Sequence, residues 1–190
     1  MTVTIAYMGI PGSNSEQAAR DFAAEMGWED YDLLPRVDSR GVIRSMDEEG
    51  ADYGVVAVAN INAGPVIETR EALEGRDDIE FVKSFWVPIH HCVFVRDGCT
   101  GVRHIASHIQ ALLQTAGNLE RLYPGTDRIE IEDTAIAARY LAEGRLSDDT
   151  AVVCRRNAGE MFGLRMVHEN IEDRSDNMTE FHLLHKRRFG

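Results

Sequence analysis

The sequence predicts an α/β protein, because apolar segments of strand length alternate with longer segments whose apolar residues recur at helical spacing. Glycine and proline separate most of these segments, as turn signals do. Repeated strand-then-helix units are typical of largely parallel sheets covered by helices. Apolar residues form 44% of the 190-residue chain, which is enough to bury the core of one domain or of two small lobes.

The first strand and the first helix are the clearest elements. Residues 3–8 form an apolar strand, which is broken by the turn residues of Gly9-Ile10-Pro11-Gly12. A polar residue at positions 13–15 can cap the following helix, and Gly27 is placed to end it. The apolar face of this helix is predicted to consist of Ala18, Ala19, Phe22, Ala23 and Met26.

The segments up to position 95 continue the alternation. The predicted elements are, in order, a helix at about 39–49, a buried strand at 53–58, a helix at about 67–73, and strands at 80–87 and 89–95. Pro88 separates the last two strands. Because proline lacks the backbone donor that a central strand needs, Pro88 is predicted to be a hinge where the chain crosses between two lobes.

The rest of the chain repeats the pattern. A strand at 102–106 leads into a helix that starts at Ser107 and ends before Tyr123-Pro124-Gly125. The predicted apolar stripe of this helix is Ile109, Leu112, Leu113, Ala116, Leu119 and Leu122. The remaining predicted elements are a strand at 128–131, a helix from Thr134 to Ala142 that Gly144 ends, a strand at 150–154, a helix at 158–162, and strands at 164–167 and 179–184.

Composition and charge argue against several classes of function. The formal net charge of -12 at pH 7 disfavours a nucleic-acid surface, which needs clustered lysine and arginine. The chain has no apolar run near the roughly 20 residues that cross a bilayer and no basic start typical of a secretory signal, so we expect a cytoplasmic protein without a membrane partner. Three cysteines without CxxC spacing, and histidines without an HExxH pattern, predict neither a disulfide framework nor a metal site.

Polar residues occur where predicted strands end or helices begin, which is where open α/β sheets bind ligands. They are the segment Gly9 to Ser15, Asn60, Ser107 and Thr134. Each one alone is explained as an ordinary helix cap that contributes about 1 kcal/mol.

The segment that ends in Asn177, Thr179 and Phe181 resembles the signature of prephenate dehydratases, which is Asn, one variable residue and Thr-Arg-Phe, with Glu180 at the arginine position. Four further segments are similar to motifs of that family. They are Gly9 to Ser15 with Ala18-Ala19; residues 56–61, which keep Asn60 of a Pro-Ile-Glu-Asn motif and have Ala59 for its glutamate; Ser107-His108-Ile109-Gln110 with Gln114; and Asp133-Thr134-Ala135-Ile136-Ala137-Ala138.

The resemblance implies a fold as well as a function. We expect one catalytic domain over residues 1–190, with the two-lobed α/β fold of type 2 periplasmic binding proteins and a cleft between the lobes. Lobe one would comprise about 1–86 with 170–190, and lobe two about 89–167. The regulatory ACT domain of most relatives is expected to be absent, since the chain stops at Gly190.

The resemblance also implies the chemistry. The expected reaction is that of a carbon-oxygen lyase in phenylalanine biosynthesis, which converts prephenate to phenylpyruvate, water and CO2 without cofactor or metal. Thr179 would donate a hydrogen bond to the departing hydroxyl. The catalytic residues implied are Asn60, Ser107, Gln114 and Thr179, and the substrate-binding residues implied are Gly12, Ser13, Ser15, Thr134, Asn177, Phe181 and His108.

Glu180 leaves three interpretations open. Its side chain points away from the site, supplies a proton, or selects a substrate other than prephenate; strand alternation favours the first, because neighbours face opposite sides of a sheet. Two other functions also stay open, a non-aromatising prephenate decarboxylase and a non-catalytic sensor of small anions on the same fold. A homodimer is a further expectation.

Overall fold

A computed structural model describes residues 2–187. The chain forms two compact units, and it passes from the first to the second after Pro88 and returns after Asn177. Each unit contains one sheet, so the two-lobed α/β architecture is confirmed. The division falls at the proline that was predicted to be the hinge. Residues 170–177, which were expected in the first lobe, lie in the second unit.

The elements follow one another in this order. The first unit contains β1 (Val3–Met8), α1 (Asn14–Glu25), β2 (Tyr31–Arg36), α2 (Ser39–Glu48), β3 (Tyr53–Asn60), β4 (Gly64–Pro65), α3 (Ile67–Leu73) and β5 (Ile79–Pro88). The second contains β6 (Cys92–Val95), β7 (His104–Ser107), α4 (Ile109–Gln114), α5 (Ala116–Leu122), β8 (Asp127–Glu130), α6 (Thr134–Ala142), β9 (Thr150–Cys154), α7 (Arg156–Met161) and β10 (Arg165–His168), and the returning chain forms β11 (Met178–Lys186) in the first unit.

The sheet of the first unit has the order β2-β1-β3-β11-β5, with β4 beside β3. Strand β1 is parallel to β2 and β3, but β11 is antiparallel to both of its neighbours. The expectation of a largely parallel sheet is therefore wrong, because β11 enters the sheet from the second unit instead of from a crossover helix. Strand β2, which the pattern did not predict, is an edge strand and carries Pro35, a residue that edges tolerate.

The sheet of the second unit is also mixed, with the order β10-β6-β9-β7-β8. Strands β9, β7 and β8 are parallel, whereas β6 is antiparallel to β9 and β10. Strands β6 and β9 are buried along their whole length, as expected of central strands covered on both faces.

Helix α1 shows how capping and burial fix an element. The Oγ atom of Ser13 accepts a hydrogen bond from the backbone N-H of Glu16 at 3.2 Å, and Gly27 ends the helix with a φ of 71°. The residues Ala18, Ala19, Phe22 and Ala23 are fully buried. Met26 lies at the C-cap and is 37% exposed, so its predicted place on the apolar face is wrong.

The single helix predicted from Ser107 is two helices, α4 and α5, which meet at Thr115. The Asp173 carboxylate accepts hydrogen bonds from the backbone N-H groups of Gly117 and Asn118, both at 2.8 Å. Because N-H groups in the first turn of a helix have no partner within the helix, this carboxylate stabilises the start of α5. The predicted apolar stripe is interrupted accordingly, since Leu113 is 62% exposed. Among residues 2–187, no helix is long and apolar enough to cross a membrane.

Candidate functional site

Asn60 and Thr179 form a polar cluster in the first unit. They lie opposite each other in the pairing of β3 with β11. The Asn60 Nδ2 atom donates hydrogen bonds to the carbonyl oxygen of Met178 and to Thr179 Oγ1, both at 3.0 Å. The Asn60 Oδ1 atom accepts hydrogen bonds from the backbone N-H groups of Asn62 and Ala63, both at 2.9 Å. Donors on one side and acceptors on the other fix the orientation of the Asn60 carboxamide.

This orientation determines what the Thr179 hydroxyl can do. A threonine hydroxyl has one proton to donate and can accept two hydrogen bonds. Because Thr179 Oγ1 accepts from Asn60, this hydrogen bond does not use the hydroxyl's own proton. A hydroxyl that accepts a hydrogen bond also becomes a stronger donor. Thr179 is half-buried, and the arrangement suits donation to a ligand oxygen.

A β-bulge holds the end of β3 in place. Glu180 pairs with Ala59 and Phe181 pairs with Ala57, which leaves Val58 as the extra residue. The buried Thr69 hydroxyl donates to the carbonyl oxygen of Ala57 at 2.6 Å, at the point where the ladder is irregular. Its hydroxyl lies 2.7 Å from that of the buried Ser39. The hydrogen bond from Thr69 therefore stabilises the bulge at Ala57, three residues before Asn60.

Glu180 and Phe181 have structural partners in the first unit. The Glu180 carboxylate lies 3.3 Å from His182 Nε2, on the face of β11 opposite that of Thr179. This geometry supports the interpretation in which Glu180 points away from the Thr179 hydroxyl. Phe181 is 1% exposed and packs in the core with Phe22 and Leu183. This burial favours a packing role for Phe181.

The start of α1 is satisfied by a residue of the helix itself. Glu16 accepts a hydrogen bond from the backbone N-H of Gly12 at 2.5 Å and pairs with Arg20 at 2.6 Å. Ser13 is the helix cap, and Ser15 is buried. Because the Glu16 carboxylate holds the position that an anion would take at a helix N-terminus, the geometry does not support anion binding by Gly12, Ser13 and Ser15. Burial and the Glu16 charge raise the pKa of Tyr7.

The start of α6, where Thr134 lies, is also occupied by a carboxylate of the chain itself. The helix cap is Asp133, whose Oδ1 atom accepts from the backbone N-H groups of Ala135 at 2.7 Å and Ile136 at 3.2 Å. Thr134 is the first helical residue and was predicted to open the helix as its cap. A carboxylate at this helix start disfavours a second anion there.

Gln114, His91 and Asn177 form a polar cluster in the second unit. The Gln114 Oε1 atom lies 2.9 Å from His91 Nε2 and accepts a hydrogen bond from Asn177 Nδ2, also at 2.9 Å. His91 and Asn177 are both 3% exposed. Burial lowers the pKa of His91, and the hydrogen bond with Gln114 only partly opposes this. The imidazole is therefore neutral at pH 7.

Glu172 anchors the loop that carries Asn177. Its carboxylate accepts from the backbone N-H of His91 at 3.0 Å and lies 2.7 Å from His90 Nδ1. Burial pushes the pKa of Glu172 upward, but the hydrogen bonds from His90 and from the His91 backbone outweigh it and lower the pKa. Asn118 Nδ2 donates to the carbonyl oxygens of Ile171 and Glu172. The loop is thus tied to both His91 and the start of α5.

Ser107 and His108 have local roles. Ser107 is fully buried, and its hydroxyl donates to the carbonyl oxygen of Val153 in the neighbouring strand at 2.5 Å. Its proton is used inside the sheet, so the geometry does not support a catalytic role. His108 is the cap of α4, where its Nδ1 atom accepts from the backbone N-H of Gln110 at 3.3 Å.

Among the residues predicted for the site, the structure thus brings Asn60 together with Thr179 and Gln114 together with Asn177. Sequence reasoning missed His91 and Glu172. The adjacent histidines that follow Pro88 were considered only as metal ligands, and residues 2–187 contain no group of three or more His, Cys, Asp or Glu residues that could hold a metal. The signal in the sequence was the pair of adjacent histidines, His90 and His91, directly after the point where the chain passes from the first unit to the second.

Comparisons with known proteins agree on one family. A family model described as prephenate dehydratase matches residues 5–188. Arogenate dehydratase 5, chloroplastic, of Arabidopsis thaliana is 32% identical over 187 residues, which are 96% of this chain and 42% of that protein. The bifunctional chorismate mutase/prephenate dehydratase of Neisseria gonorrhoeae is 34% identical over 184 residues, which are 94% of this chain and 48% of that protein. The chain therefore spans less than half the length of these relatives.

Two solved structures are similar over 98% of the chain. The prephenate dehydratase of Arthrobacter aurescens in complex with L-Phe has a TM-score of 0.87 at 24% identity, and 61% of that chain is covered. A protein described as a novel type of quorum quenching acylase has a TM-score of 0.78 at 26% identity, and 65% of that chain is covered. The first of these similarities shows the fold.

Proposed function

Because the chain belongs to the prephenate dehydratase family, we propose that it is a decarboxylating carbon-oxygen lyase that acts on prephenate or on its amino-acid counterpart, arogenate. Relatives named for each substrate support this substrate class. The observation that carries the proposal is the Thr179 hydroxyl, which accepts a hydrogen bond from Asn60 and keeps its proton for a ligand.

The proposed reaction needs few chemical groups from the protein. The bond between the ring and its carboxylate breaks to release CO2, its electron pair moves into the ring, and the ring hydroxyl leaves as water with a proton from solvent. The ring becomes aromatic, which drives the reaction. The protein must hold the substrate and stabilise the departing oxygen, a task for oriented neutral donors. Thr179 donates its proton in a hydrogen bond to that oxygen, and Asn60 keeps the threonine hydroxyl in the donating orientation.

Gln114 is the proposed binding residue of the second unit. Its Oε1 atom is occupied by His91 and Asn177, so its Nε2 amide is the part that remains for a substrate. An amide N-H suits a carboxylate or carbonyl oxygen. Ser107 is left out of this proposal because its proton is donated to Val153.

Acyl hydrolysis, the activity named for one structural relative, fits the described hydroxyls less well. A serine or threonine nucleophile needs a base that takes its proton. The Ser107 hydroxyl donates to a backbone carbonyl, and Thr179 Oγ1 accepts from an amide. Neither arrangement supplies a base, so the geometry favours lyase chemistry.

The partner and the compartment are proposed on general grounds. The family binds small molecules, and we propose that prephenate or arogenate is the partner of this chain and that the chain acts in the cytoplasm as a homodimer. Fractionation of the cells that make the protein and sedimentation of the purified chain test the two statements. A membrane-pellet location or a monomer at micromolar concentration would contradict them.

Product analysis tests the activity. Purified protein is incubated with prephenate and, separately, with arogenate, while CO2 release is followed alongside the aromatic product; for prephenate this is the alkaline enol absorbance of phenylpyruvate. Equal amounts of CO2 and aromatic product are expected. Release of CO2 without an aromatic product would replace the proposal with a non-aromatising decarboxylase. No turnover together with measurable binding would replace it with a small-anion sensor.

A further inference from the structure

We infer that His91 is a positioning residue for the proposed site: its neutral imidazole fixes the carboxamide of Gln114 so that the Gln114 Nε2 amide faces the substrate. The inference rests on the proposed function, because it takes Gln114 to be a substrate-binding residue. It concerns a buried histidine that touches no reacting atom.

Two donors converge on one oxygen. The Gln114 Oε1 atom accepts from Asn177 Nδ2 at 2.9 Å and lies 2.9 Å from His91 Nε2. A carboxamide oxygen only accepts hydrogen bonds, so His91 Nε2 carries the proton. With both donors in place, the oxygen of Gln114 is held by His91 and Asn177, and its Nε2 amide is left to donate to another acceptor.

The surroundings of the imidazole select this tautomer. His91 Nδ1 is buried and has no hydrogen-bond partner among residues 2–187. The opposite tautomer would place a proton on this nitrogen, and a buried N-H without an acceptor is rarer and more costly than an unused lone pair. It would also turn His91 Nε2 into an acceptor facing the Gln114 oxygen. The proton therefore stays on Nε2.

The backbone of His91 is held on both sides. Its N-H donates to the Glu172 carboxylate at 3.0 Å, and its carbonyl oxygen accepts from the backbone N-H of Ile171 at 2.9 Å. The loop that supplies Asn177 is thus attached to the same residue that orients Gln114. This is the arrangement that a preorganised binding group requires.

A double-mutant cycle tests the positioning role through function. His91→Leu removes the ring donor, His91→Gln keeps an amide donor at a similar reach, and Gln114→Leu removes the group being oriented. We expect His91→Leu to lower kcat/KM about tenfold, mainly through KM, and His91→Gln to recover most of the loss. In the Gln114→Leu background the His91→Leu change should lower kcat/KM less than about twofold. An equal loss in both backgrounds would overturn the inference.

A measurement without substrate keeps the inference separable from the proposed function. Nitrogen-15 NMR of the seven histidines, with His91 assigned by difference from His91→Gln, reports which ring nitrogen is protonated. At pH 7.5 we expect a protonated Nε2 and an unprotonated Nδ1, and a mixture of tautomers in Gln114→Leu. A protonated Nδ1 in the neutral ring would overturn the inference. If the protein turns over neither prephenate nor arogenate, the proposed function fails. The tautomer measurement then still tests whether His91 donates its Nε2 proton to Gln114.

Discussion

Glu180 lies directly opposite Ala59 in the pairing of β11 with β3. These are the positions at which the motifs resembled by this sequence carry arginine and glutamate. The two departures therefore lie at one place in the sheet, where this chain has a single carboxylate, that of Glu180, which lies 3.3 Å from His182 Nε2. The Thr179 hydroxyl lies on the other face of the strand, so the change does not remove the group proposed to act on the substrate.

Opposite charges placed at the two positions should interact across the strands. We expect Ala59→Glu alone to destabilise the protein by roughly 0.5 kcal/mol, because it puts a second carboxylate opposite Glu180, and we expect Ala59→Glu with Glu180→Arg to recover that loss. Urea unfolding of both single variants and the double variant gives the coupling free energy. Strictly additive effects would show that the two side chains do not meet.

The bulge in β3 should depend on the Thr69 hydroxyl. Thr69→Val leaves the half-buried Ala57 carbonyl oxygen without its donor, for a cost of about 1 kcal/mol in the free energy of unfolding. Thr69→Ser keeps the donor and is the matched control. Chemical denaturation measures both variants, and an equal loss in the two would attribute the effect to the methyl group instead.

The buried neutral His91 should make stability depend on pH. Its folded-state pKa is lowered by burial from about 6.5 in the unfolded chain, so the unfolded chain binds the proton first. Stability from this residue is present above about pH 6.5 and is lost as the pH falls below it. Glu172 acts in a lower window, because its lowered pKa contributes stability that is lost below its usual carboxylate range.

Unfolding free energies at pH 7.5, 6.5 and 5.5 isolate the His91 contribution. We expect the unmodified protein to lose more stability over this range than His91→Gln does, since the two proteins differ only at this residue. The account of His91 would be contradicted by parallel curves.

The cysteines should differ in reactivity. Cys92 and Cys154 are buried, and burial raises the pKa of both thiols, whereas Cys99 is partly exposed. Because the thiolate is the reactive form, we expect one thiol to react quickly with an aromatic disulfide reagent in the native protein and three to react in urea. Rapid reaction of all three thiols in the native protein would contradict this. So would a Cys99→Ser variant whose two remaining thiols stay unreactive in urea.

Much of the fold was readable from local signals. Helices α3 and α6 have the predicted bounds, because a glycine follows each of them, at Gly75 and Gly144, and because Asp133 caps the start of α6. Strand β2 was missed because it is a polar edge strand with an internal proline. The antiparallel place of β11 could not be predicted, since its partners in β3 are 119 positions away at Asn60 and Thr179.

The site was predictable to a lesser degree. The motif resemblance identified Asn60, Thr179, Gln114 and Asn177, and the structure gives each of them a hydrogen-bond role. It also suggested Ser107, but no sequence pattern could show that this hydroxyl donates to Val153 in a strand 46 positions away. His91 was missed for the same reason, because its role depends on a contact with Gln114 that only the folded chain creates.

The most direct test compares turnover by Thr179→Ala and Thr179→Ser with that of the unmodified protein. With prephenate or arogenate as substrate, we expect Thr179→Ala to lower kcat about a hundredfold or more while its melting temperature stays nearly unchanged, and Thr179→Ser, which keeps the hydroxyl, to retain most of the activity. Unchanged formation of the aromatic product by Thr179→Ala would contradict the account.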